Sequence, residues 1–162
     1  MTLKTLVFAA ALMGSIVHAQ SVDVKDAWVR TSVPGQRGTG AFMKLTAKDG
    51  ATLVSVSSPV AGVSEVHEMK MEGYIMKMRA LPAGLLLPAG KTVELKPGGY
   101  HVMLMDLKSA LPKDSTIPLT LVFKDVKGVE SRLELKLPVA SSAASAASAV
   151  PAAGPAAAAH KH

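Results

Sequence analysis

Tyr100-His101-Val102-Met103-Leu104-Met105-Asp106-Leu107 alternates two kinds of side chain. On a β-strand, successive side chains point to opposite faces. Tyr100, Val102 and Leu104 then share one face, which has the aliphatic character a core needs. His101, Met103 and Met105 share the other. Because the core face is already supplied, the imidazole and thioether face is free for other use.

The same period extends outward from this strand. Ala51–Ser58 sets Leu53 against Val54 among small polar residues, as a half-buried strand does. Further strands are expected at Val22–Arg30, Gly40–Ala47, Val63–Met71, Tyr74–Ala80, Thr92–Leu95, Ile117–Lys124 and Ser131–Leu137. Turn signals separate them, among them Pro34-Gly35, Lys48-Asp49-Gly50, Glu72-Gly73, Pro88-Ala89-Gly90, Pro97-Gly98-Gly99 and Lys127-Gly128. Short strands at this spacing predict an all-β sandwich or barrel. No helix is expected after the N-terminal leader, and no internal repeat stands out.

Strand parity also groups the soft donors. His67, Met69 and Met71 share a face on one strand, and Met76 and Met78 share a face on the strand after Glu72-Gly73. A hairpin there brings Met69 and Met71 beside Met76 and Met78. Six of the seven methionines after residue 20 fall between Met69 and Met105, and with His67 and His101 they lie within residues 67–105. Any one of these methionines serves well as core filler, because methionine fits irregular gaps. The set as a whole, turned away from the aliphatic face, points to a metal site. There is no cysteine, and thioether with imidazole selects Cu(I).

The ends of the chain are of a different kind. Lys4 is followed by apolar Leu6–Met13 and the small-residue pattern Val17-His18-Ala19. This reads as a secretory signal peptide over residues 1–19 and places the mature protein in the periplasm, with no membrane span. From residue 140 the chain is Ala, Ser, Gly and Pro with one Val until His160-Lys161-His162. That composition predicts a flexible, disordered tail over residues 140–162, and its two imidazoles offer a secondary Cu(II) site at His160 and His162. Residues 20–139 are the expected copper-binding β domain, and a monomer is expected.

The net charge of +6 comes from scattered Lys and Arg. No basic run is interleaved with aromatics, so nucleic acid is not the expected partner. No G-x-S-x-G or H-E-x-x-H motif occurs, and nothing else in the sequence argues for an enzyme.

The pattern His67-x10-Met78-x22-His101-x-Met103 resembles the signature of the PCu(A)C family of periplasmic copper chaperones. So do Ala27-Trp28-Val29-Arg30, His67-Glu68-Met69, Met76-Lys77-Met78-Arg79 and Lys96-Pro97-Gly98-Gly99-Tyr100-His101-Val102-Met103. The resemblance implies a cupredoxin-like Greek-key β fold lacking the blue-copper cysteine. It implies His67, Met78, His101 and Met103 as Cu(I) ligands. It also implies a metallochaperone that supplies the binuclear copper centre of cytochrome c oxidase, its partner being an oxidase subunit or another copper chaperone. Periplasmic copper storage or detoxification is the alternative. A redox-active copper protein fits less well, because the usual electron-transfer site needs a cysteine thiolate.

Overall fold

The computed structural model describes residues 22–147. The leader read over residues 1–19 and the histidines at the chain end, His160 and His162, lie outside the described residues. The strands are β1 (Val22–Arg30), β2 (Gly38–Ala47), β3 (Ala51–Ser57), β4 (Ala61–Glu72), β5 (Ile75–Ala80), β6 (Leu85–Leu87), β7 (Thr92–Leu95), β8 (His101–Leu107), β9 (Thr116–Asp125) and β10 (Glu130–Ala140). A short helix α1 (Ala143–Ala147) follows. Among the described residues, no helix is long and apolar enough to cross a membrane.

The all-β expectation holds, with the sheet open and not closed into a barrel. Its order is β5-β4-β8-β2-β1-β10-β9-β3-β6, with β7 paired to β2. β1 runs parallel to β10, and the other pairings are antiparallel. The sheet doubles over on itself, so that β3 packs over β4 and β2 touches β6 without a ladder between them. One core fills the fold between the halves, and Val29, Leu45, Leu53, Leu87, Val102, Leu104, Leu121 and Leu137 are fully enclosed in it. Met43 lies in this core, which makes it filler and separates it from the other methionines.

Two features were not expected from sequence. β6 is a run of three leucines between two Pro-Ala-Gly turns, too short to show a period. α1 lies inside the stretch read as coil, and its Ala146 is buried against Trp28, Phe42 and Ala140.

An irregularity in β1 sets up the outer face. The β1–β2 register shifts between Lys25 and Trp28, and Asp26 takes a positive φ of 52°. An extra residue in one strand reverses the side-chain alternation beyond it. Val22 faces the core before the bulge, and Val29 does so after it. Trp28 is thereby turned to the outer face, opposite Phe42, with ring centroids 4.8 Å apart. The Arg30 guanidinium lies 5.4 Å above the Phe42 ring, a cation–π distance.

Phe42 fits only because its neighbour on that face, Gly40, has no side chain. A Cβ at Gly40 would stand 2.8 Å from Phe42 Cζ. The ring is 4 % exposed and held against Trp28, so it has little freedom to yield. Gly40→Ala is therefore expected to lower stability by about 1–3 kcal/mol, the usual cost of overpacking. Urea denaturation followed by Trp28 fluorescence measures it, and an unchanged midpoint would contradict the packing described.

Candidate metal centre

The site is built on neighbouring strands β5, β4 and β8. On β4 and β8 the core face carries Val66, Val102 and Leu104, all buried. The alternate positions carry the donors. In the β4–β8 ladder, His67 stands directly opposite His101, and Glu65 opposite Met103. The two imidazoles are 5.8 Å apart between centroids and tilted by 58°.

Both rings are enclosed although they lie on the outer face, at 8 % exposure for His67 and 7 % for His101. Phe42 covers one side, its centroid 6.4 Å from that of His101. On the same face Met103 comes up against Gly38. A Cβ there would lie 3.0 Å from the Met103 methyl carbon, so the bare glycine leaves room for the thioether.

The β4–β5 hairpin adds the remaining methionines. Its register pairs Met69 with Met78 and Met71 with Met76, as strand parity predicted. The two-residue link between Glu72 and Ile75 starts with Gly73 at a φ of +64°, a conformation that favours glycine. Met78 is 49 % exposed on β5, whose six residues are all exposed.

The four predicted ligands therefore share one face, but they are not equally close. His67 and His101 form the central pair. Met103 follows His101 by two residues on β8. Met78 lies on the other side of the His pair along the strands, across from Met69. His67-x-Met69 and His101-x-Met103 are the same pattern on antiparallel strands, so each histidine has a thioether two residues further on. Among the described residues, no group of three or more His, Cys, Asp or Glu is placed to hold a metal. The face carries two imidazoles with thioethers two residues away along the strands on either side.

Hydrogen bonds leave each ring one uncommitted nitrogen. His101 Nδ1 lies 3.1 Å from the Gly99 carbonyl oxygen, an acceptor, so Nδ1 carries the proton and Nε2 has the free lone pair. His67 Nε2 lies 2.9 Å from Glu65 Oε2. His67 Nδ1 is buried without a partner. A buried polar atom left unpaired costs stability, and a bound ion would satisfy it. Glu65 was not singled out from sequence, where it reads as one more solvated charge. The signal that could have found it is parity, since it precedes His67 by two residues on the same face.

The profile of the family described as "Putative lipoprotein LpqE-like" matches residues 22–139. The chain belongs to the LpqE-like family. It is 35% identical over 108 residues to "Putative lipoprotein Lxx21020" of Leifsonia xyli, covering 67% of this chain and 65% of that protein. It is 32% identical over 73 residues to "Uncharacterized protein RP573" of Rickettsia prowazekii, covering 45% of this chain and 40% of that protein. The chain thus spans less than two thirds of the length of either relative.

Similar solved structures are PCuAC domains, in line with the resemblance read from the sequence. The Cu(I) form of DR1885 from Deinococcus radiodurans is 29% identical with a TM-score of 0.56, covering 77% of this chain and 82% of that one. The copper-bound PCuAC domain from PmoF2 shares the fold at a TM-score of 0.58 and 22% identity, over 76% of this chain and 95% of that one.

Burial pushes the pKa of His101 below the usual imidazole value, and the nearby His67 and Arg30 add to the effect against the Gly99 hydrogen bond. The folded state then binds fewer protons at this ring than the unfolded chain does. The stabilisation is complete above the unfolded imidazole pKa of about 6.5 and is lost as pH falls below it. The metal-free protein should therefore melt at progressively lower temperature on acidification from about pH 7 to 5.5. His101→Asn should flatten that slope. An equal slope in parent and variant would show that His101 is not responsible.

Proposed function

We propose that this domain binds one Cu(I) ion as cargo at His67, Met78, His101 and Met103, and gives it up to an acceptor by ligand exchange. The observation that carries this reading is the enclosed pair of facing imidazoles with thioethers on the same face. Its support is chemical. Two neutral imidazoles and two thioethers present soft, uncharged donors suited to Cu(I). With no cysteine in the chain, no thiolate is at hand to be oxidised. The Cu(I) form of DR1885, at 29% identity, is a solved example of a related chain with that ion.

The uneven burial of the donors suits a carrier. His67 and His101 are enclosed and held by the central ladder, whereas Met78 stands exposed on the edge strand. An incoming donor meets Met78 first. Replacing that thioether by a ligand from the partner begins transfer without releasing the free ion, and the remaining donors follow. This is not catalysis of a reaction, and the reading is of a carrier and not an enzyme. The resemblance suggests that the acceptor is the binuclear copper centre of cytochrome c oxidase, reached in the periplasm after removal of residues 1–19.

Changing Met78 and Met103 together to Leu roughly conserves side-chain volume. The double variant should fold normally and lose Cu(I) affinity by orders of magnitude in competition with a chromogenic chelator. Retention of parental affinity would place the ion elsewhere.

The second element of the proposal is a weaker Cu(II) site at His160 and His162. Deletion of residues 148–162 leaves β10 and α1 intact. It should abolish the weaker Cu(II) binding in calorimetry and leave Cu(I) binding nearly unchanged. Unaltered Cu(II) stoichiometry in the truncated protein would refute the second site.

A further inference from the structure

We infer that Glu65 is the positioning residue of the metal centre, fixing the tautomer of His67 so that Nδ1 is the nitrogen offered to copper. This deepens the Cu(I) reading and rests on it. Three observations meet at this residue. Glu65 Oε2 lies 2.9 Å from His67 Nε2. His67 Nδ1 is buried with no hydrogen-bond partner. In the β4–β8 register Glu65 stands opposite Met103, on the same face as the donors.

The chemistry follows from what each atom can do. A carboxylate accepts hydrogen bonds and cannot donate one. Held at 2.9 Å, it requires the imidazole proton on Nε2. The lone pair then belongs to Nδ1, the atom that lacks a partner. Ligating histidines commonly donate their other N–H to a carboxylate, which orients the ring and makes the ligating nitrogen more basic. His101 reaches the same end by other means, donating from Nδ1 to the Gly99 carbonyl and leaving Nε2 free. The two rings therefore present opposite nitrogens to the ion.

Glu65 itself is not a ligand. Its side chain is 45% exposed, and it does not join the two histidines in any group placed to hold a metal. Its negative charge lies one imidazole away from the ion. Two imidazoles and two thioethers are all neutral, so this carboxylate would place a negative charge close to Cu(I), opposite in sign to the Arg30 guanidinium near His101.

The test uses ring-nitrogen NMR on the isotopically labelled full chain, which works in both states because Cu(I) is diamagnetic. In the metal-free parent at pH 8, His67 should be the Nε2–H tautomer. On adding Cu(I), the Nδ1 resonance of His67 and the Nε2 resonance of His101 should shift. Glu65→Gln retains an acceptor oxygen and should keep the tautomer while weakening Cu(I) binding by less than the next variant. Glu65→Leu should give a mixture of tautomers and weaken Cu(I) binding about 10–100-fold, with a far-UV spectrum like the parent. Coordination through His67 Nε2, or parental tautomer and affinity in Glu65→Leu, would overturn the inference. If Glu65→Leu fails to fold, the nitrogen coordinated in the parent and the tautomer in Glu65→Gln decide. A parent that binds no Cu(I) at all would refute the functional reading, while the metal-free tautomer still tests the hold of Glu65 on His67.

Discussion

The β4–β8 ladder is the constraint on which the rest depends. His67 and His101 are 34 residues apart in sequence, yet the pairing puts them face to face. The same ladder sends Val66, Val102 and Leu104 into the core. Strand pairing with period two cannot slip by one residue without exchanging the two faces. Such a slip would expose the valines and bury the imidazoles among leucines. Core formation therefore enforces the donor arrangement, and the hydrophobic effect holds the histidines together although they contribute little to it.

Around that ladder, small departures from regularity shape the outer face. The bulge in β1 turns Trp28 outward, and two glycines on β2 leave space for Phe42 and Met103. Phe42 then covers one side of His101, and His101 in turn lies against His67, so residues on the outside of a sheet become as buried as parts of the core. A hydrophobic wall beside the donors excludes water from their inner side. The outer side opens toward Met78 on β5.

Much of this was legible in the sequence because most strands bury only one face. Thr92–Leu95 was placed at its observed limits, and the Gly73 hairpin brought Met69 to Met78 as parity required. β6 escaped notice since three leucines carry no period, and α1 because a run of Ala and Ser shows no apolar stripe. The opposition of His67 and His101 could not be read locally, since it depends on which strands become neighbours. Glu65 was missed for another reason. A charged residue on a strand is ordinarily solvated, and although parity puts Glu65 on the face of His67, the contact of its carboxylate with the imidazole is seen in the geometry.

The exposed strand β5 has a mechanical consequence. Among the described residues it is joined by one ladder, to β4, and contributes no residue to the core. Segments held by so few buried contacts open at a free energy well below that of global unfolding. Met78 therefore sits on the loose margin of a sheet whose centre is stiff. An ion bound both to Met78 and to the histidines would stitch that margin to the centre and raise the protection of the β5 amides against hydrogen exchange. The empty and laden forms would then differ in the stiffness of one edge more than in shape, and that stiffness is a property an encountering surface can sense.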